Sequence, residues 1–115
     1  MNKEAFEKVV EKAVDSLPEE LASKLSNIEI IIEDSPRAGK RKNSVLLGLY
    51  EGVPLEERGT YYAGALPDKI TLFQKNIEAI CHSEAEMVDQ IQRTILHEIG
   101  HYFGISEKRL RELGY

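Results

Sequence analysis

SEAEMVDQIQRTILHEIGHYFG, residues Ser83 to Gly104, is the stretch that decides the fold. Ser83 followed three residues later by Glu86 is a capping box, the start signal of a helix. Val88, Ile91, Ile95, Ile99 and Phe103 then recur at helical spacing as one apolar stripe. Gly104 closes the run, as glycine commonly does just past a helix C-terminus. The spacing therefore predicts one long helix from Ser83 to about Phe103. At about 100° per residue, His97 and His101 fall on the arc opposite the stripe, about 40° apart and one turn along the axis. One face is left for a core and the other for a cleft.

His97-Glu98-Ile99-Gly100-His101 is an H-E-x-x-H sequence, the pattern that zinc-dependent peptidases carry on a helix. Residues at i and i+4 have Cβ atoms about 5–6 Å apart. Two imidazoles at that spacing can converge on one ion at the usual Zn–N distance of about 2.0–2.1 Å. Glu98 lies about 100° from His97 and about 60° from His101 on the same wheel. It flanks the ion without being forced onto it, where a general base must sit to take a proton from water. A catalytic zinc site needs three protein ligands and one open position. The carboxylates after His101 are Glu107, Glu112 and the terminal group of Tyr115. Glu107 is preferred, because it follows Gly104 by three residues and a glycine at positive φ can swing the chain back toward the histidines. His82 lies about four turns before His97, too far to join it along the helix.

Working outward, Phe6, Val9, Val10, Ala13, Val14 and Leu17 form a second helical stripe, with Asn2 placed as its N-cap. Leu17-Pro18 breaks that helix, and a short one is expected from Pro18 to Leu25. Asn27–Glu33, Val45–Tyr50 and Ile70–Phe73 read as strands, rich in β-branched and apolar residues. The connection from Val53 to Asp68 is long for a compact domain and is expected to face substrate. Asn76–Cys81 reads as a helical turn or two, and Ser106 caps a last helix from Glu107 to Leu113. Strands ahead of one long helix indicate an α+β domain: a small sheet of about three or more strands packed on the N-terminal and long helices.

At 115 residues the chain has the length of a single domain, 1–115. With 42% hydrophobic and 30% charged residues it is globular rather than disordered. A net charge of -5 argues against nucleic acid as a partner, since phosphate binding wants a basic excess. The Arg37-Lys40-Arg41-Lys42 cluster then reads as a solvated loop. No apolar run approaches the roughly 20 residues of a membrane span. Met1 to Glu7 is acidic and amphipathic and lacks the apolar stretch of a signal peptide. The lone Cys81, expected in or near the core, allows no internal disulfide. A soluble cytoplasmic protein is expected, and nothing in the sequence sets an oligomeric state.

His97-Glu98-x-x-His101-x-x-Gly104-x-x-Glu107 resembles the extended motif H-E-x-x-H-x-x-G-x-x-H/D of metzincin-type peptidases. From about Val45 to Tyr115 the chain is similar to a family of small bacterial zincin-like metallopeptidases, the minimal metalloproteases. The likeness runs through LGLYEGVPL (Leu47–Leu55), GALPDKITLF (Gly64–Phe73), HEIGHYFGIS (His97–Ser106) and LRELGY (Leu110–Tyr115). It implies a zincin-like fold, zinc at the two histidines and an extended peptide or protein substrate laid along a sheet edge, with Thr60–Ala65 as one such edge. The family usually carries Asp where this chain has Glu107, whose extra methylene lengthens the reach. Met1 and Met87 both precede the motif, so no Met-turn can follow it. The expected function is hydrolysis of peptide bonds by metal-activated water, with Glu98 as base and zinc on His97, His101 and Glu107. Tyr61, Tyr62 and Tyr115 are candidate oxyanion donors. The alternative is a zinc-binding regulatory or interaction domain with little or no catalysis.

Overall fold

The computed structural model describes residues 1–36, 46–52, 68–100 and 104–115. The basic cluster 37–42, most of the long connection with Tyr61 and Tyr62, and His101-Tyr102-Phe103 lie outside the described residues.

Helix α1 spans Lys3–Asp15, and the Asn2 side chain accepts from the Ala5 N–H at 2.8 Å, the cap its position signals. Pro18 stands at the N-cap of α2, Glu19–Ala22, rather than inside it, in an extended conformation (φ -56°, ψ 145°). Its carbonyl accepts from Leu21 and Ala22, and the single turn tightens into a 3-10 turn at Ser23–Leu25. Leu21 and Leu25 are the residues this segment buries.

Strands β1 (Ile28–Glu33), β2 (Gly48–Glu51) and β3 (Asp68–Phe73) form a mixed sheet in the order β1-β3-β2. The central β3 is parallel to β1, with Ile30 beside Ile70, and antiparallel to β2, with Tyr50 beside Ile70. Strand β2 starts at Gly48, later than the apolar run suggests. The Leu46 carbonyl is instead taken by the Asn76 side-chain amide at 2.7 Å. Helix α3, Gln74–Ile80, follows β3 without a loop. Then come α4 (Glu84–Gly100) and α5 (Glu107–Glu112).

One face of the sheet, with Ile28, Ile30, Ile32, Ile70 and Leu72, packs into the core with α1 and α4. On the other face Glu29, Lys69 and Glu51 stand in register across the three strands, opposite charges side by side. Ile91, Ile95 and Ile99 of α4 are fully buried, each such side chain stabilising the fold by about 1.5–3 kcal/mol. Val88 is only half-buried, and Leu96, off the stripe, is fully buried. The buried Gln92 side chain donates to the Ala13 carbonyl at 2.8 Å and the Ser16 hydroxyl at 2.9 Å, joining α4 to the end of α1. Among the described residues no helix is long and apolar enough to cross a membrane.

Strand β2 crosses α4 at Gly48. A Cβ there would stand 2.7 Å from Thr94 Cγ2 and 3.1 Å from the Thr71 carbonyl oxygen. Neither atom is the end of a long flexible side chain, so a methyl group must push strand and helix apart. Gly48→Ala is expected to cost about 1–3 kcal/mol in urea unfolding. Adding Thr94→Ser, which removes the clashing methyl, should restore part of that loss. Undiminished stability of Gly48→Ala would contradict the close approach.

Candidate active site

The capping box opens α4, with a change of partner. The Glu86 N–H donates to the Ser83 hydroxyl at 3.1 Å, but the Glu86 carboxylate accepts from the His82 N–H at 2.8 Å, one residue before the cap. With the isoleucines in the core, α4 turns Gln90, Arg93, Thr94, His97 and Glu98 toward β2. They line a cleft of about 290 Å³ with Leu46, Leu47 and Gly48. Asn76 on the Leu46 carbonyl and the Phe73 N–H on that of Leu47 (2.9 Å) hold the leucine wall. A larger groove of about 490 Å³ runs between α1 and β1, but its lining has no histidine or cysteine. The smaller cleft is the one that holds His97 and Glu98.

His97 is exposed on the cleft face and Glu98 is half-buried beside it. The Tyr50 backbone N–H donates to Glu98 Oε2 at 3.3 Å. The Tyr50 hydroxyl in turn donates to the buried Asp68 carboxylate at 2.5 Å, fixing β2 against β3. The close approach at Gly48 is what brings this N–H to the helix. The sequence reading missed Tyr50, because nothing local marks which amide will meet Glu98. A glycine inside a strand is a signal of close backbone approach, and Gly48 offered that clue.

Past α4, Gly104 has φ +66°, the left-handed region that favours glycine, and the Ile105 N–H donates to the Gly100 carbonyl at 2.9 Å. Gly100 also keeps the returning chain near: a Cβ there would stand 3.3 Å from the Ile105 carbonyl oxygen. The turn expected at Gly104 is thus present, and it delivers Glu107 as the first, exposed residue of α5. Helix α5 is seated by buried Leu110 and held to α2 by Arg109, whose Nη2 and Nε donate to Glu20 at 2.7 and 3.1 Å. Glu112 accepts from Arg109 Nη1 at 3.4 Å. Helix α5 closes with Gly114 at φ +95° and the Tyr115 N–H on the Leu110 carbonyl.

The structure therefore brings His97 and Glu98 together in the cleft, and sets Glu107 on the element that follows the turn. Among the described residues no three His, Cys, Asp or Glu side chains gather as a metal site, and His101 lies outside that set. Cys81 is half-buried against the core, as expected. Burial first, and the charges of Glu86 and Asp89 second, push its thiol above the usual range and away from the thiolate a metal would need.

A solved structure of a conserved hypothetical protein from Thermus thermophilus has a similar fold, with a TM-score of 0.57 at 22% identity, covering 90% of this chain and 94% of that one. No curated protein matches the chain. The chain belongs to the zincin-like metallopeptidase family, whose model matches residues 25–115.

Hydrogen bonding from Arg109 holds the Glu20 carboxyl below its ordinary value of 4.5. A depressed carboxylate contributes stability above its unfolded value and loses it as pH falls through the folded one. The melting-temperature gap between wild type and Glu20→Gln should therefore be constant above about 4.5 and close below it. A gap that widens on acidification would contradict the assignment.

Proposed function

We propose that the protein is a zinc-dependent peptidase in which His97, His101 and Glu107 hold the metal and Glu98 is the general base. The carrying observation is the placement of Glu98. Its carboxylate lies half-buried in the cleft, tied through one oxygen to the Tyr50 N–H, next in sequence to an exposed imidazole. The donor chemistry fits zinc: two imidazoles at i and i+4 and a carboxylate past the turn are ordinary ligands. Zinc bound there supplies Lewis acidity and lowers the pKa of water toward about 7.

The remaining work falls to the chain's own groups. Glu98 takes a proton from the attacking water and returns it to the departing amine nitrogen. The Tyr50 N–H keeps that carboxylate in one orientation and leaves its second oxygen for the proton. The Leu46-Leu47 wall carries the apolar part of a peptide. Peptide or protein is the proposed partner, and the cytoplasm the proposed compartment, supported by the single cysteine, Cys81.

Replacing Glu98 with Gln should leave zinc content unchanged and lower peptide hydrolysis about 10²–10⁴-fold, the usual contribution of a general base. His97→Ala should lose the metal, read by elemental analysis of protein purified without chelator. Full activity in Glu98→Gln would remove it from the base role. A zinc-loaded protein that cleaves nothing in a broad peptide library would instead be a regulatory or interaction module.

A further inference from the structure

We propose that Arg93 gives this site its substrate preference: peptides with a carboxylate within one or two residues of the scissile bond. This rests on the peptidase reading above. Arg93 is the only lysine or arginine among the described residues lining the cleft. It precedes His97 by four residues, so it stands about 6 Å along the same helix face. An extended peptide advances about 3.3 Å per residue, so that offset corresponds to two residues or fewer.

The guanidinium is held in place. Its Nε donates to Asp89 Oδ2 at 2.8 Å and its Nη2 to the Gly114 carbonyl at 3.4 Å. One anchor is on its own helix and the other on the segment after α5, so the planar group is oriented before any ligand arrives. Among the described residues these contacts use two of the five guanidinium N–H donors, leaving both on Nη1 and one on Nη2 for a further acceptor. The side chain keeps 40% exposure. Arginine is charged at all working pH values and its fork matches a carboxylate. The rest of the lining offers little else to read a side chain: Leu46 and Leu47 are apolar, Gln90 donates to the Thr94 hydroxyl at 3.2 Å, and His97 and Glu98 are assigned to the chemistry. Asp89 tempers the charge of Arg93 without removing its fork. On a chain of net charge -5, a local cation in the cleft favours an acidic ligand that the surface as a whole would repel.

The test compares three peptides that differ only in Glu, Gln or Lys beside the scissile bond. Their dissociation constants are measured on zinc-loaded Glu98→Gln protein, and kcat/KM on the active protein. The Glu peptide should be preferred over the Gln peptide about tenfold, the scale of one charge-assisted hydrogen bond. Arg93→Gln should abolish that preference, Arg93→Glu should turn it toward the Lys peptide, and Arg93→Lys, which keeps the charge and loses the fork, should keep only part of it. Folding of each variant is checked by its melting curve. Equal binding of the three peptides to the parent protein, or an unchanged preference in Arg93→Glu, would overturn the role of Arg93 alone. A zinc-loaded protein that binds and cleaves no peptide of any charge would overturn the peptidase reading and this proposal with it.

Discussion

The close packing of β2 on α4 at Gly48 is the constraint on which the site depends. Thr94 Cγ2 occupies space that any side chain at position 48 would need. Because the strand lies this near, the Tyr50 amide two residues on can reach the Glu98 carboxylate one turn further along the helix. A looser crossing would leave that carboxylate without its protein donor. The same approach sets the width of the cleft, since Gly48 and Thr94 are both in its lining. Strand position is secured in turn by Tyr50 on Asp68 and by Asn76 on the Leu46 carbonyl. Core, sheet and site are thus joined through one short strand.

Helix α4 divides its circumference among several neighbours besides β2. Ile91, Ile95 and Ile99 enter the core, Gln92 joins the end of α1, and Leu96 and Gly100 lie on the side from which the chain returns to α5. Only a narrow strip is left for chemistry. Glycines do the shaping at three of these contacts, each for a different reason: no room at Gly48, the returning carbonyl at Gly100, and positive φ at Gly104. Glu107, the third ligand we propose, opens α5, which is anchored independently by Leu110 and the Arg109–Glu20 pair. That pair is exposed, so its value is orientation more than stability.

Local signals were legible and remote ones were not. Asn2, Ser83, Gly104 and Ser106 all act within a few residues of themselves, and all stand where their chemistry predicts. The isoleucine stripe was readable because helical periodicity is a property of the sequence alone. The α+β class followed from the order of elements, but not the order of strands. Nothing in IEIIIE or DKITLF says that β3 will lie between β1 and β2, since pairing is settled by the whole fold. Leu96 escaped because it lies off that stripe, one turn before Gly100 on the side that the returning chain approaches. Pro18 was placed one residue too far into its helix, as boundary residues often are. Tyr50 on Glu98 joins residues 48 apart through a backbone atom, and a backbone atom has no letter in the sequence.

A site built mainly on one helix suits a domain of this size. His97 and Glu98 are consecutive residues of a rigid element, so their spacing is a property of α4 and not of the tertiary fold. Only two features must then be brought from elsewhere: the strand whose Tyr50 N–H meets the Glu98 carboxylate and the turn that leads into α5. Both rest on close contacts with α4, at Gly48 and at Gly100, rather than on distant parts of the core. Loosening either contact therefore disturbs the orientation of functional groups before it exposes much apolar surface. Loss of Ile95 or Leu72 acts in the opposite order, by removing the packing that holds helix and sheet together at all. Function and stability are thus sensitive to different residues of the same helix, even though the two faces lie only about half a turn apart.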